Sequence, residues 1–418
     1  MKRLISPSEV RGRIKAPPSK SMMIRAVAAS TLAGGESIIS NPSFCKDGLA
    51  AIEIAKKLGA SVNVESELVF VKGTDGKLNV GDEVLNCYES GLCLRLFSPV
   101  VALTDKEITV TGKGTLLNRP VDFMRKSFEE LGVSFIDNNG KPPIKIKGPL
   151  KGGEVYVDGS ISSQFLTGLL FALPLIEKDS FIYVENLKSK PYIGMTLEVL
   201  SDFGVFVDNY NYERFIIKGG QKYRGDRYNV EGDWSGASFI LVAGALAGYV
   251  EVENINMNSY QADRAIIDVL KKAGADVDTN EGKVKIKKNN LLPFEFDATE
   301  CPDLFPPLVA LASACNGVSE IKGVSRLVYK ESNRATALKN EFAKVGIAIE
   351  IIDDVMKIKG GNVEGGRVFS HDDHRIAMAC AVAGLVSVKG VEIENSEAVE
   401  KSYPNFFDDL KSLGAKIK

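Results

Sequence analysis

Two kinds of helical pattern alternate along the 418-residue chain. The first is amphipathic. AIEIAKKLGA, MRKSFEELGV, TLEVLSDFGV, IIDVLKKAGA, LKNEFAKVGI and FFDDLKSLGA carry apolar residues at helical spacing and run into a glycine. Those glycines, Gly59, Gly132, Gly204, Gly274, Gly346 and Gly414, lie 73, 72, 70, 72 and 68 residues apart. Each suits the left-handed position just past a helix end, and β-type residues follow, as in ASVNV, VSFI, ADVD and IAIEI. The second pattern is apolar almost all round after its first turn. It begins at Ser19 (SKSMMIRAVAAS), Ser90 (SGLCLRLFSPVVAL), Ser162 (SSQFLTGLLFALPL), Ser235 (SGASFILVAGALAG), Pro302 (PDLFPPLVALASAC) and Asp373 (DHRIAMACAVAGLV). A helix with no polar face belongs in a core.

Short strands fill the gaps: ESIISN, EITVTG, FIYVEN, YVEVEN, VSEIKG and GVEIEN. Each of six repeats therefore reads as buried helix, strand, amphipathic helix, strand, strand, a mixed α/β class. Units of this make-up need neighbours to bury their apolar faces, and three plus three is the simplest partition. A polar, glycine-bearing stretch at Lys218–Asn229 offers one boundary, and Pro17 with Pro18 the other break. The expected domains are residues 1–18 with 228–418, and residues 19–227.

A net charge of -2 leaves no basic footprint for nucleic acid. No apolar run is long enough to span a membrane, and MKRLISPSEVRGRIK lacks a signal-like apolar stretch, so a cytoplasmic protein is expected. Six scattered cysteines without a Cys-x-x-Cys pair, and two histidines, His371 and His374, argue against a disulfide framework or a zinc site.

The chemistry gathers where buried helices begin. Such starts expose unpaired N–H groups and partial positive charge, and so attract anions. Lys20, Ser21 and Arg25 mark the first start; Ser90, Gly91 and Arg95 the second; Ser162, Ser163 and Gln164 the third. Asp303 marks the fifth, His374 and Arg375 the sixth. Further candidates sit between strand and amphipathic helix: Arg119, Ser189, Lys190, Lys330, Arg334 and Lys401. If corresponding ends of the repeats face one cleft, these cations would hold a small ligand bearing several negative charges. Taken singly, each serine could be only a helix cap and each cation only solvated surface. The recurrence across repeats is what carries weight.

PSKSMMIRAVAAS, SISSQFLTGLL, LKSKPYIGMT, VEGDWSGASF, LVYKESNR, DDHRIAMA and EKSYPNFFDDL together resemble the EPSP synthase family of enolpyruvyl transferases, in the family's order from residue 17 to residue 410. The resemblance implies a two-domain inverse α/β barrel-like fold of six βαβαββ units, three per domain. It also implies buried helix N-termini facing a cleft between the domains, and an N-terminal segment that returns to the second domain. The implied reaction joins the 5-hydroxyl of shikimate 3-phosphate to C2 of phosphoenolpyruvate and expels phosphate from a tetrahedral intermediate. No metal or organic cofactor, nucleic acid or membrane takes part, and a monomer is expected.

Carried over residue by residue, Lys20, Ser21, Arg25, Ser162, Ser163, Gln164, Ser189, Asp303 and Lys330 are implied contacts of shikimate 3-phosphate. Lys20, Gly91, Arg119, Gln164, Arg334, Arg375 and Lys401 are implied contacts of phosphoenolpyruvate. Asp303 is the implied proton acceptor, Glu331 the proton donor to the methylene carbon, with Lys20 and Lys330 beside the chemistry. Leu92 and Cys93 depart from the smaller residues usual after Gly91, which leaves glyphosate sensitivity open. Asn333 replaces the usual aspartate, and Arg326 stands where asparagine is common and is left out of the site. Two alternatives remain: the sister enzyme acting on UDP-N-acetylglucosamine, and a non-catalytic anion-binding repeat protein. The first usually has a cysteine in the loop that here reads TGKGTLLNRP; the second needs no acid–base group such as Asp303, Lys330 or Glu331.

Overall fold

The computed structural model describes residues 1–81 and 83–418. The chain divides into two compact units: a continuous one, Pro18–Val230, and a discontinuous one, Met1–Pro17 with Glu231–Lys418. The break expected between residues 227 and 228 would cut the strand Arg227–Asn229, which pairs in parallel with Glu36–Ser40. Val230 continues that attachment, its N–H donating to the Ser40 carbonyl at 3.0 Å. Asp233 already belongs to the other unit, its N–H donating to the Pro17 carbonyl at 2.7 Å.

Six four-stranded sheets, three per unit, share one plan among the described residues. In each, a first strand runs parallel to the second, and the third and fourth add antiparallel. Glu154–Asp158, Ser180–Glu185, Arg214–Ile217 and Asp208–Tyr210 form one such sheet. The hairpins are alternating sequences with one face in the core: in Lys141–Lys147, Pro142, Ile144 and Ile146 point inward while the lysines stay out. Besides the sheet that Arg227–Asn229 joins, two more recruit strands from afar. Val10–Lys15 pairs in parallel with Gly248–Glu253, and Lys2–Ser6 lies between Val391–Glu394 and Lys416–Ile417.

The six apolar patterns form helices Lys20–Leu32, Gly91–Val101, Gln164–Ala172, Trp234–Ala247, Phe305–Ser313 and His374–Gly384. In all but the first, nearly every residue is buried, and even Lys20–Leu32 exposes only its opening turn in part. Their apolar side chains build one core in each unit. Sheets outside and helices inside make this an inverse α/β barrel fold. The glycines that end the amphipathic helices all adopt left-handed φ, from 73° at Gly132 to 107° at Gly414. Among the described residues, no helix is long and apolar enough to cross a membrane.

Candidate active site

In the discontinuous unit the fifth buried helix opens with a tight 3-10 turn, Pro302–Leu304, before the α-helix Phe305–Ser313. Pro302, Pro306 and Pro307 fit there because the first turn has no intrahelical use for their missing N–H groups. The turn presents Asp303. Its Oδ1 accepts from Lys330 Nζ at 3.2 Å and Arg334 Nη1 at 2.9 Å, and its Oδ2 from Arg375 Nη2 at 3.0 Å. Burial pushes this carboxyl up, but Arg375, Lys330 and Arg334 outweigh it and hold Asp303 well below the usual carboxylate range. Lys330 is shifted down, chiefly by burial and with help from the charges of Arg334 and Arg326.

Arg334 is wholly buried and fully engaged. Besides Asp303 it donates to Glu331 Oε2 at 2.5 Å and to Asp373 Oδ2 at 2.9 Å. Asp373 precedes the helix rather than opening it: its Oδ1 caps the Arg375 N–H at 3.0 Å, and its Oδ2 accepts from Ser332 Oγ at 3.1 Å. One carboxylate thus starts the sixth buried helix and aims the arginine of the neighbouring segment. Asn333 caps the helix Arg334–Lys344 through the Thr336 N–H at 3.3 Å, a task asparagine performs as well as aspartate. Lys401 is buried in the 3-10 turn Ser396–Lys401. His374 is also buried, and His371 turns to Glu341 at 2.7 Å.

In the continuous unit Ser19 caps the first buried helix by accepting the Met22 N–H at 3.4 Å. Lys20 is the first helical residue and donates to Asp47 Oδ2 at 3.2 Å. Arg25 lies one turn deeper and is tied down at three points: Thr196 Oγ1 at 3.0 Å, the Ser21 carbonyl at 2.9 Å and the Tyr192 carbonyl at 3.1 Å. Burial brings its pKa down to about 10, which still leaves it charged at neutral pH. Ser189, at φ 59°, makes the left-handed turn into the helix Lys190–Asp202 that supplies Tyr192 and Thr196.

The second and third starts meet in the same unit. Ser90 caps the Cys93 N–H at 3.3 Å, and Ser162 accepts the Gln164 N–H at 3.2 Å. Arg95 donates to Gln164 Oε1 at 3.0 Å and to the Pro120 carbonyl at 3.3 Å. Ser163 is the buried residue immediately before Gln164. Gly91 faces Arg119: a Cβ there would lie 2.6 Å from the guanidinium. Leu92 and Cys93 are buried behind that start, and burial pushes the Cys93 thiol up, so it is inert.

The structure brings Asp303, Lys330, Glu331, Arg334 and Arg375 into one cluster, and Gly91, Arg119 and Gln164 into the neighbourhood of Arg95. Sequence reasoning missed Asp47, Thr196 and Asp373 as partners of the candidate cations. Asp373 and Asp47 are legible afterwards as acids at helix starts, where the dipole favours them. Thr196 lies mid-helix and offers no such signal. At the fourth start, Asp233 rather than Ser235 is the cap.

The family model of EPSP synthase (3-phosphoshikimate 1-carboxyvinyltransferase) matches residues 5–410. A 3-phosphoshikimate 1-carboxyvinyltransferase of Clostridium perfringens is 40% identical over 418 residues, covering 99% of each chain. One from Methanosarcina mazei is 39% identical, covering 100% of this chain and 99% of its own. Among solved structures, an EPSP synthase from Acinetobacter baumannii is similar with a TM-score of 0.85 and 25% identity, covering 100% of this chain and 99% of that one. An enolpyruvyl transferase from Streptomyces tendae shares the fold with a TM-score of 0.79 at 17% identity, over 100% of this chain and 98% of its own.

Proposed function

The chain belongs to the EPSP synthase family, and from that premise we infer how its residues carry the family reaction. The protein transfers the enolpyruvyl group of phosphoenolpyruvate to the 5-hydroxyl of shikimate 3-phosphate and releases phosphate. The hydroxyl oxygen attacks C2 while C3 gains a proton. The tetrahedral intermediate then returns that proton and loses phosphate, which restores the double bond.

The observation that carries the residue roles is the clamp of three cations on Asp303. In this state the carboxylate is a poor base, because Lys330, Arg334 and Arg375 all stabilise its charge. The carboxylate and phosphate of phosphoenolpyruvate are the competing anions that Arg334 and Arg375 would grip in its place. As the clamp transfers to the substrate, Asp303 gains proton affinity and takes the hydroxyl proton. Lys330 then orients the attacking hydroxyl with it. Glu331, held by the same Arg334, protonates the methylene carbon, and Lys401 adds positive charge for the leaving phosphate.

In the continuous unit, Lys20, Ser21 and Arg25 with Ser162, Ser163, Gln164 and Ser189 hold the phosphorylated sugar acid. Their support is the helix-start geometry and the rigid anchoring of Arg25. Lys20, Gly91, Arg119 and Gln164 add the remaining phosphoenolpyruvate contacts; the close approach of Arg119 to Gly91 favours this reading. Phosphate release with purified protein, phosphoenolpyruvate and shikimate 3-phosphate tests the function. Release with UDP-N-acetylglucosamine and none with shikimate 3-phosphate would overturn it.

A further inference from the structure

A buried carboxyl near Asp303 has no part in the chemistry above. Asp263 sits in the 3-10 turn Ala262–Ala265 and is 2% exposed. Its Oδ2 accepts a hydrogen bond from Ser235 Oγ. Its Oδ1 is buried and has no hydrogen-bond partner among the described residues. An ionised carboxylate with one oxygen so placed is costly, and no cation forms an ion pair with Asp263 among the described residues. The turns carrying Asp263 and Asp303 both pack on the helix Trp234–Ala247, whose first turn supplies Ser235.

We propose that Asp263 is a positioning residue that tunes Asp303: through its charge state it sets how tightly Asp303 holds a proton during enolpyruvyl transfer. This rests on the assignment of Asp303 as the base. The charged and titratable groups that Asp263 faces are Asp303, Arg375 and Asp233, with the Cys301 thiol close by. Burial and then the negative charge of Asp303 raise the Asp263 pKa to about 7, with Arg375 and Ser235 opposing. Below that pH Asp263 is neutral and the clamped Asp303 is a weak base. Above it Asp263 carries a negative charge, and like-charge repulsion strengthens Asp303 as a base. Proton bookkeeping is unaltered: Asp303 accepts the hydroxyl proton, and Asp263 neither gains nor loses one in the step.

The test compares the pH profile of kcat/KM, which reports free-enzyme ionisations, for the wild type and Asp263→Asn. The amide keeps the size of the carboxyl and stays neutral at every pH. The wild type is expected to gain about three- to tenfold across neutral pH, and Asp263→Asn to lack that limb while matching the wild type below about pH 6. Substrate phosphate ionisation affects both enzymes alike and cancels. Superimposable profiles would overturn the proposal and leave the reaction assignment standing. A wild type inactive with shikimate 3-phosphate overturns the reaction assignment instead. Infrared difference spectra then decide the charge state without turnover: a protonated carboxyl band at about pH 6, absent in Asp263→Asn, is expected, and its absence from the wild type sinks the proposal.

Discussion

At the scale of single residues, the balance between desolvation and ion pairing decides behaviour. Asp303 is lowered well below the 3.8 of a free aspartate despite its burial, because Arg375, Lys330 and Arg334 surround it. A folded pKa below the unfolded one means that its stabilising contribution is complete above about pH 4. It is lost as the pH falls through and below that value. Asp303→Asn should therefore lower stability at pH 7 by about 1–3 kcal/mol, a buried-pair scale discounted for partial exposure. The deficit should begin to shrink as the pH falls below about 4; chemical denaturation at about pH 7 and pH 3 measures the decrease. Turnover should fall at least a hundredfold with substrate binding retained. Wild-type turnover in that variant would remove Asp303 from the role of base.

At the scale of elements, what was legible in the sequence was periodic, and what was hidden was long-range. The glycine-ended helices and the mostly apolar helices were visible because both signals are local, at Gly59 or across Trp234–Ala247 alike. Asp303 and Arg334 could be nominated as candidates by position. That Arg334 would be locked by Asp373, 39 residues away, could not be read from spacing. The same holds for Arg25, which finds Thr196 from 171 residues away. The second helix start gives a test of how element geometry meets chemistry. Gly91→Ala would put a methyl 2.6 Å from the Arg119 guanidinium, the far end of a long side chain. The fold should survive with its melting temperature nearly unchanged. The KM for phosphoenolpyruvate should rise about tenfold or more, with a smaller change in kcat. An unaltered KM would detach Arg119 and Gly91 from that substrate.

At the scale of the whole molecule, the discontinuous unit depends on a segment separated from the rest of it by more than two hundred residues of sequence. Lys2–Ser6 is an inner strand, bonded on one side to Val391–Glu394 and on the other to Lys416–Ile417. Val10–Lys15 closes the sheet of Gly248–Glu253. Ile5 and Val10 are fully buried, and together their burial is worth roughly 3–6 kcal/mol, a large share of a typical domain's net stability. Ile5 also packs so closely on the sixth buried helix that a Cβ at Gly384 would stand 3.0 Å from it. A chain that starts at residue 18 should leave Val391–Glu394 and Gly248–Glu253 without those partners. Their amides should exchange with solvent orders of magnitude faster, while Glu107–Thr111 in the continuous unit keeps its protection. A synthetic peptide of residues 1–17 added back should restore protection in proportion to its concentration, since it binds only the folded unit. Full protection in the shortened chain without the peptide would show that the unit does not need the segment.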